Sequence, residues 1–378
     1  MKKLTALLFS LLLSVFFTAV PAFAQSEEGP DLSRITEEIN EKYMDTVDSD
    51  TYQVLEENGI SAGDTEGVMG IDLRKIFSGL LLSFTEQLSE PFKLLSKLAA
   101  VSVICSVAGS VCTDQPGLNE LFDTTAMLSV ITVVSGSVSE LFEKLKDALE
   151  LIERFMISYI PIFSAVTAAG GRAVTAGCYS GATVLLCETV SFVSSNLLLP
   201  LLFSMTALTI VSAVGTDKRL SAAAEGIKKT VVWLLSTVTV IFVGVLSLQG
   251  LTGAAADGLA AKSVRLAASS FIPVIGGSVS EAYSAVMGGM GVIRTTLGTV
   301  GMIALAVMAL RPLLLIIAMR LVLFMARLIN DMLCASRVSE LLKGLDQVLG
   351  LGMSIIITAA AAFLVSTAAI MFVSGGGF

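Results

Sequence analysis

Four charged residues stand within otherwise apolar stretches of this 378-residue chain, at Arg172, Glu188, Arg294 and Arg311. A charge at the centre of a membrane-spanning helix costs at least about 2.5 kcal/mol on insertion scales, so such groups pair, line water or extend to an interface. Two interpretations therefore stay open. Either these residues line an aqueous path, with Glu188 paired to an arginine, or each lies at a membrane interface.

Prolines and glycines accompany these charges at two corresponding places. The residues concerned are Pro161, Gly170 and Gly171 in the first place and Pro273, Gly276 and Gly277 in the second. Because proline removes a backbone donor, we predict a broken helix at each place, and Pro312 beside Arg311 is a further candidate. Irregular backbone at membrane depth is tolerated only inside protein or along a wet cavity. Two matching interruptions thus indicate a permeation or binding site, and close packing of small residues is the alternative.

Several kinds of chemistry are excluded by the residues that the chain lacks. It contains no histidine, which rules out Ser-His-Asp and Cys-His catalysis and histidine-ligated zinc. It has no G-x-x-x-x-G-K-[ST] phosphate loop that could power transport. We therefore predict no catalytic residues, no cofactor and no metal site, and an intramembrane enzyme is the weakest alternative. The formal net charge of −8 argues against nucleic acid as a partner.

The composition predicts an all-α polytopic membrane protein. Hydrophobic residues make up 54% of the chain and charged residues only 15%, against about 25% in soluble domains. Because a span needs about 20 mostly apolar residues, we predict about six transmembrane helices besides amphipathic and proline-broken segments. The candidate spans are 94–112, 121–138, 196–215, 230–250, 297–319 and 348–373. This count treats 140–195 and 251–296 as not fully crossing.

The N-terminal region divides into three predicted parts. Residues 1–24 have the basic start, apolar run and small-x-small site of a cleaved signal peptide. Residues 25–70 form an acidic exocytoplasmic tail, which is either a solvated extension or a docking segment. Residues 71–92 have helical apolar spacing interrupted by charges, which predicts an interfacial amphipathic helix that Pro91 ends.

The membrane domain, 93–378, contains an internal duplication. S-Y-I-P-I at 158–162 matches S-F-I-P-V at 270–274, and a second proline follows each of these prolines after 39 residues. With a small insertion, R-L-S-A-A-A-E-G (219–226) falls on R-V-S-E-L-L-K-G (337–344). The repeats cover about 121–230 and 233–345, and a final helix covers 348–373. Two like halves are typical of membrane-transport architecture, and both copies run the same way.

Basic residues set the expected orientation. Lysines and arginines concentrate in the predicted loops 216–229 and 320–346, which should therefore be cytoplasmic. Threading six spans from a cleaved signal then places the N-terminal tail and the C-terminus outside the cytoplasm.

The order of these features resembles the stage III sporulation protein AE family of endospore-forming bacteria. The resemblance is carried by S-Y-I-P-I-F-S-A-V-T-A-A-G-G (158–171), by A-L-R-P-L-L-L-I (309–316), and by the closing stretch from Asp331 to Arg337 with its final apolar helix and glycine-rich end. It covers most of the chain after about residue 70. The tail before residue 70 matches the family only in its general character.

The resemblance implies a multi-pass protein of the mother-cell membrane around the forespore, in a channel or feeding-tube complex of secretion-like type. Implied partners are the other stage III A sporulation proteins, including a secretion-type ATPase, a forespore membrane partner, and a YidC/Oxa1-type insertase for membrane insertion. A homo-oligomer stays open. The chain is then either a permease-like component required for forespore development or a non-conducting platform that assembles the complex. The family supplies no catalytic residues to carry over.

Overall fold

The structure is a computed structural model that describes residues 41, 47–57, 59–60, 88–111, 116–215, 218–271, 276–333 and 335–375. Within these ranges the regular secondary structure is helical. The predicted all-α fold class is therefore confirmed. The predicted signal peptide, 1–24, and most of the predicted interfacial helix, 71–92, lie outside the described residues.

Eight α-helices are described, and a π-helical turn at Ser194–Leu198 joins the fourth to the fifth. They are α1 (Ser49–Glu57), α2 (Ser89–Val111), α3 (Pro116–Ala169), α4 (Ala173–Val193), α5 (Leu199–Val214), α6 (Lys218–Phe271), α7 (Gly276–Met332) and α8 (Ser336–Gly375).

Six described stretches are long and apolar enough to cross a membrane, and each overlaps one predicted span. The stretches are Ser89–Ala108, Thr124–Ala169, Ala173–Val214, Arg219–Gln249, Met287–Met332 and Ser336–Met371. Several exceed what one crossing requires. The 54 residues of α3 extend about 80 Å at 1.5 Å per residue, whereas the hydrocarbon core is about 30 Å thick. Parts of these helices must therefore lie outside the hydrocarbon layer.

The core of the bundle is formed by α7 and α8, against which α3 and α4 pack. In α8, 78% of the residues in the most apolar stretch are buried inside the bundle. Leu145 of α3 lies against Gly352 of α8, and Phe163 of α3 lies against Gly298 of α7. The first part of 140–195 therefore lies alongside the predicted spans 297–319 and 348–373. A segment lying apart at the membrane surface would not make these contacts.

At the start of 140–195 the helical spacing of four apolar residues predicts an amphipathic helix, and α3 confirms this pattern. Leu141, Leu145, Leu149 and Ile152 are all buried, as their helical spacing requires. At the start of 251–296 the spacing of Leu259, Val264 and Leu266 predicts a second amphipathic helix, and of these Leu259 is exposed on α6.

The predicted helix breaks at proline are wrong where the structure describes them. Both Pro161 and Pro312 lie inside continuous helices, α3 and α7. Pro91 does not end a helix either: it lies in the first turn of α2, where its missing N–H has no intrahelical partner to lose. The neighbourhood of Pro273 lies outside the described residues.

The predicted cytoplasmic loops are much shorter than expected. Since α6 already begins at Lys218 and α7 continues to Met332, most basic residues of 216–229 and 320–346 lie on helix ends. The orientation inferred from them stays a prediction.

Candidate functional site

A charged cavity of about 460 Å³ lies between α1, α3 and α7. Three acidic and three basic side chains line it: Asp48, Asp50, Lys144, Asp147, Arg154 and Arg311. Apolar atoms of Met308, Pro312 and Leu315 complete the α7 wall. The amphipathic pattern of α3 produces the opposite wall, because burial of its leucine face turns the charged face outward.

On α3 the cavity borders residues 140–154, eight of which are charged, and on α7 it borders the apolar surroundings of Arg311. Arg311 belongs to a stretch of α7 that is apolar enough to cross a membrane, where a charge at the centre costs at least about 2.5 kcal/mol. Such a charge must be paired or surrounded by water. The cavity is thus a site where water or other polar molecules can lie beside apolar helices.

Arg311 is paired across the fold. Its Nη1 lies 2.5 Å from Oδ2 of Asp50, which belongs to the predicted acidic tail. The neighbouring Thr51 and Leu55 of α1 are fully buried. This described part of the predicted tail therefore packs against the chain's own helix bundle.

The interruption predicted in the first repeat occurs nine residues after Pro161, at Gly170 and Gly171. Here α3 ends in a Schellman motif: the Arg172 N–H donates to the Thr167 carbonyl at 3.4 Å and the Gly171 N–H donates to Ala168 at 3.0 Å. Gly171 has φ 75°, which a residue with a Cβ adopts only at a cost. The chain reverses within three residues and begins α4.

Asp257 of α6 holds the start of α4. Its two carboxylate oxygens accept the backbone N–H groups of Val174 and Thr175 at 3.0 and 2.8 Å. These are first-turn donors with no intrahelical acceptor, and the negative charge also complements the helix dipole. Because Asp257 is buried, both bonds are sheltered from water. A carboxylate of the second predicted repeat thereby fixes a turn of the first.

Arg172 and Arg294 lie beside this cap. Burial lowers the pKa of the Arg172 guanidinium, and the charge of Asp257 opposes that shift. The Arg294 side chain is buried on α7, close enough to Arg172 for the two positive charges to interact. The structure thus places these two predicted pathway positions in one cluster with Asp257.

The other predicted positions are dispersed. Glu188 is exposed on α4, and no cation lies within ion-pair distance of it among the described residues. Pro161 is exposed on α3, and Pro273 lies outside the described residues. Gly276 and Gly277 form the start of α7. The ten candidates that the structure describes therefore do not form one site.

Sequence reasoning missed Asp50, Lys144, Asp147, Arg154 and Asp257. For the residues of α3, a signal was present, because they occupy the polar face of a helix whose apolar face was recognised. For Asp257 the only signal was a lone carboxylate in the weakly apolar end of a long helix.

A second cleft, of about 840 Å³, lies where α5 ends and where α6 and α8 begin. The two matching motifs 219–226 and 337–344 both contribute lining residues, among them Glu225 and Lys343. Lys228 donates to Glu225 at 3.3 Å and to Gln347 of α8 at 3.1 Å, which links the two helix starts.

Comparisons with known proteins agree with the resemblance. The family model described as stage III sporulation protein AE matches residues 59–375. A curated relative, stage III sporulation protein AE of Bacillus subtilis (strain 168), is 25% identical over 242 residues, which cover 64% of this chain and 60% of the relative. The aligned part thus spans about three fifths of that relative's length. No solved structure matches the chain. Since the family model covers most of the chain, including α2 to α8, the chain belongs to the stage III sporulation protein AE family.

Proposed function

We propose that this chain is a permease-like membrane component of the sporulation channel complex that connects mother cell and forespore, and that forespore development requires it. Family membership supports the role in sporulation. The observation that carries the permease-like role is the charged cavity between α1, α3 and α7. A water-filled cavity solvates its six charges, whereas hydrocarbon does not. Arg311 and Pro312 thus stay pathway positions, joined by Lys144, Asp147 and Arg154.

In this proposal the chain is a multi-pass protein of the mother-cell membrane, with its N-terminal tail and C-terminus outside the cytoplasm. Its partners are the other stage III A sporulation proteins, including a secretion-type ATPase, and a forespore membrane partner. A YidC/Oxa1-type insertase assists its insertion. The chain is a transport component and not an enzyme.

Thiol labelling tests whether the cavity contains water. Ala148 lines it, and the tryptic segment 147–154 contains no native cysteine. In open membrane fragments, Ala148→Cys should react with a membrane-impermeant maleimide. Two controls in tryptic segments without native cysteine should not react: Ala360→Cys in the buried core and Ile241→Cys on the exposed apolar face of α6. Protection of Ala148→Cys equal to that of Ala360→Cys would overturn the proposal.

A second candidate function, a non-conducting platform, is favoured by the tight packing of α8. The hydroxyl oxygens of Thr183 and Ser366 lie 3.3 Å apart between α4 and α8, so this seam is closed. A bulky residue in the cavity separates the two functions. On the pathway proposal, Ala148→Trp stops spore formation at unchanged protein level, whereas Ile157→Trp, at an exposed position of the same helix, does not. Normal spore formation with Ala148→Trp would favour the platform.

A further inference from the structure

The helix α1 covers the charged cavity through few contacts. Asp50 pairs with Arg311, while Thr51 and Leu55 are the buried residues of its nine. Tyr52, the residue after Thr51, is 38% exposed. Among the described contacts, the Asp50–Arg311 ion pair and the buried face with Thr51 and Leu55 attach this helix to the bundle.

The space beneath α1 is not filled by side chains. The cavity of about 460 Å³ lies between its first turn and the walls formed by α3 and α7. This space is open to the outside, and the lining side chains of Asp50, Lys144 and Arg154 are about half exposed or more. The helix α1 is thus one wall of an open polar groove.

The structure of α1 depends on its docking. A nine-residue helix is shorter than the ~12–15 residues at which isolated helices become even marginally stable. Asp48 accepts the Thr51 N–H at 3.4 Å, as an N-terminal cap does, but this one bond does not offset the cost of helix nucleation. Release from the bundle and loss of the helix are thus coupled.

The charge balance of the groove changes when α1 leaves. With α1 docked, three acidic and three basic side chains line the cavity. Without α1, Lys144 and Arg154 keep their ion pairs with Glu140 and Glu150 of α3, whereas Arg311 loses the carboxylate of Asp50. An occupant with an acidic side chain at this point of the groove restores that ion pair.

We propose that the groove between α3 and α7 is a docking site for an acidic helix, that α1 is its displaceable occupant, and that α1 controls access to the charged cavity. This regulation rests on the proposed function, because it concerns the same cavity. The docking itself rests on contacts such as those of Asp50, Thr51 and Leu55, and not on transport. The two claims can therefore be tested separately.

Paired cysteines on α1 measure docking in the full-length protein in membrane fragments. Thr51→Cys should react with an impermeant maleimide about tenfold more slowly than Tyr52→Cys, since docking that is favoured by 1.4 kcal/mol corresponds to a factor of ten. Both positions lie in the tryptic segment 43–74, which has no native cysteine. Equal rates for the two variants would overturn the docking of α1.

Two further substitutions test whether α1 is displaceable. Arg311→Glu should raise the Thr51→Cys rate to nearly that of Tyr52→Cys, and adding Asp50→Arg should restore part of the protection. Leu55→Ala, which shortens a side chain of α1 and changes no residue of α3 or α7, should raise the rate as well. If Thr51→Cys stays protected in both Arg311→Glu and Leu55→Ala, the proposal is wrong.

The cavity probe distinguishes failure of this proposal from failure of the proposed function. In the Leu55→Ala background, Ala148→Cys should react faster than in the parent protein. Faster labelling of Thr51→Cys together with faster labelling of Ala148→Cys supports both claims. Faster labelling of Thr51→Cys while Ala148→Cys stays fully protected would overturn the water-filled cavity and its control by α1. The docking of α1 would still be supported.

Discussion

The ring of Tyr159 on α3 lies directly over Gly301 on α7. A Cβ atom at Gly301 would come within 2.5 Å of the ring carbon Cε2, which is closer than real contacts allow. The Tyr159 hydroxyl also donates to the Leu297 carbonyl at 3.5 Å. Phe155 and Phe163 stack on either side of the ring, with centroid distances of 5.4 and 5.5 Å. The tyrosine therefore cannot move aside, and the glycine sets how closely α3 and α7 approach.

The close contact predicts that Gly301→Ala destabilises the bundle. Overpacking of this kind costs about 1–3 kcal/mol. The matched control is Gly291→Ala on the same helix, where a Cβ meets nothing within 4 Å. This substitution should stabilise the helix by about 0.5–1 kcal/mol, because alanine loses less conformational entropy than glycine on folding. Thermal unfolding of the two variants in detergent measures the difference. An equal or higher midpoint for Gly301→Ala would contradict the contact.

The position of the turn predicts opposite effects for two substitutions in the first repeat. Gly171→Ala forces an alanine into φ 75° and should destabilise the turn by about 1–2 kcal/mol. Pro161→Ala restores a donor inside the continuous helix α3 and should stabilise the protein, by up to ~3 kcal/mol. Chemical denaturation in detergent would measure both. Destabilisation by Pro161→Ala with no effect of Gly171→Ala would reverse our assignment of the interruption.

Local patterns predicted the helices and the buried face of α3, because burial of Leu145 and Leu149 follows from spacing alone. They did not predict that α3 continues through Pro161. Proline removes one hydrogen bond, and the packing of a long helix against α7 and α8 offsets that loss. The partner of Arg311 could not be predicted either, since Asp50 lies 261 positions away. Periodicity carries no information about contacts at that separation.

The buried cap predicts a graded response at Asp257. Asp257→Ala leaves the Val174 and Thr175 N–H groups without their acceptors and should cost about 1–3 kcal/mol. Asp257→Asn retains one acceptor oxygen and should cost less. Asp331→Ala is the control, because its ion pair with Arg327 joins neighbouring turns of one exposed helix face and contributes about 0.5 kcal/mol at most. Thermal unfolding should rank the three variants in this order, and an Asp331→Ala cost equal to that of Asp257→Ala would contradict it.

The contact between α7 and α8 predicts that Arg320 and Asp346 are coupled. Arg320 donates through Nε to Oδ1 at 2.7 Å and through Nη2 to Oδ2 at 3.3 Å. Since both side chains are about one-third exposed, solvent screening limits the pair to about 1 kcal/mol.

A double-mutant cycle with Arg320→Lys and Asp346→Asn measures this coupling, because lysine retains the charge but not the two-point geometry. The exposed pair of Lys144 and Glu140 on α3 is the matched control and should give about 0.5 kcal/mol or less. The coupling between Arg320 and Asp346 should weaken as salt is added, but less than in the control, because partly buried pairs are screened less. If both cycles give the same coupling and the same salt dependence, the two-point contact adds nothing to the association of α7 with α8.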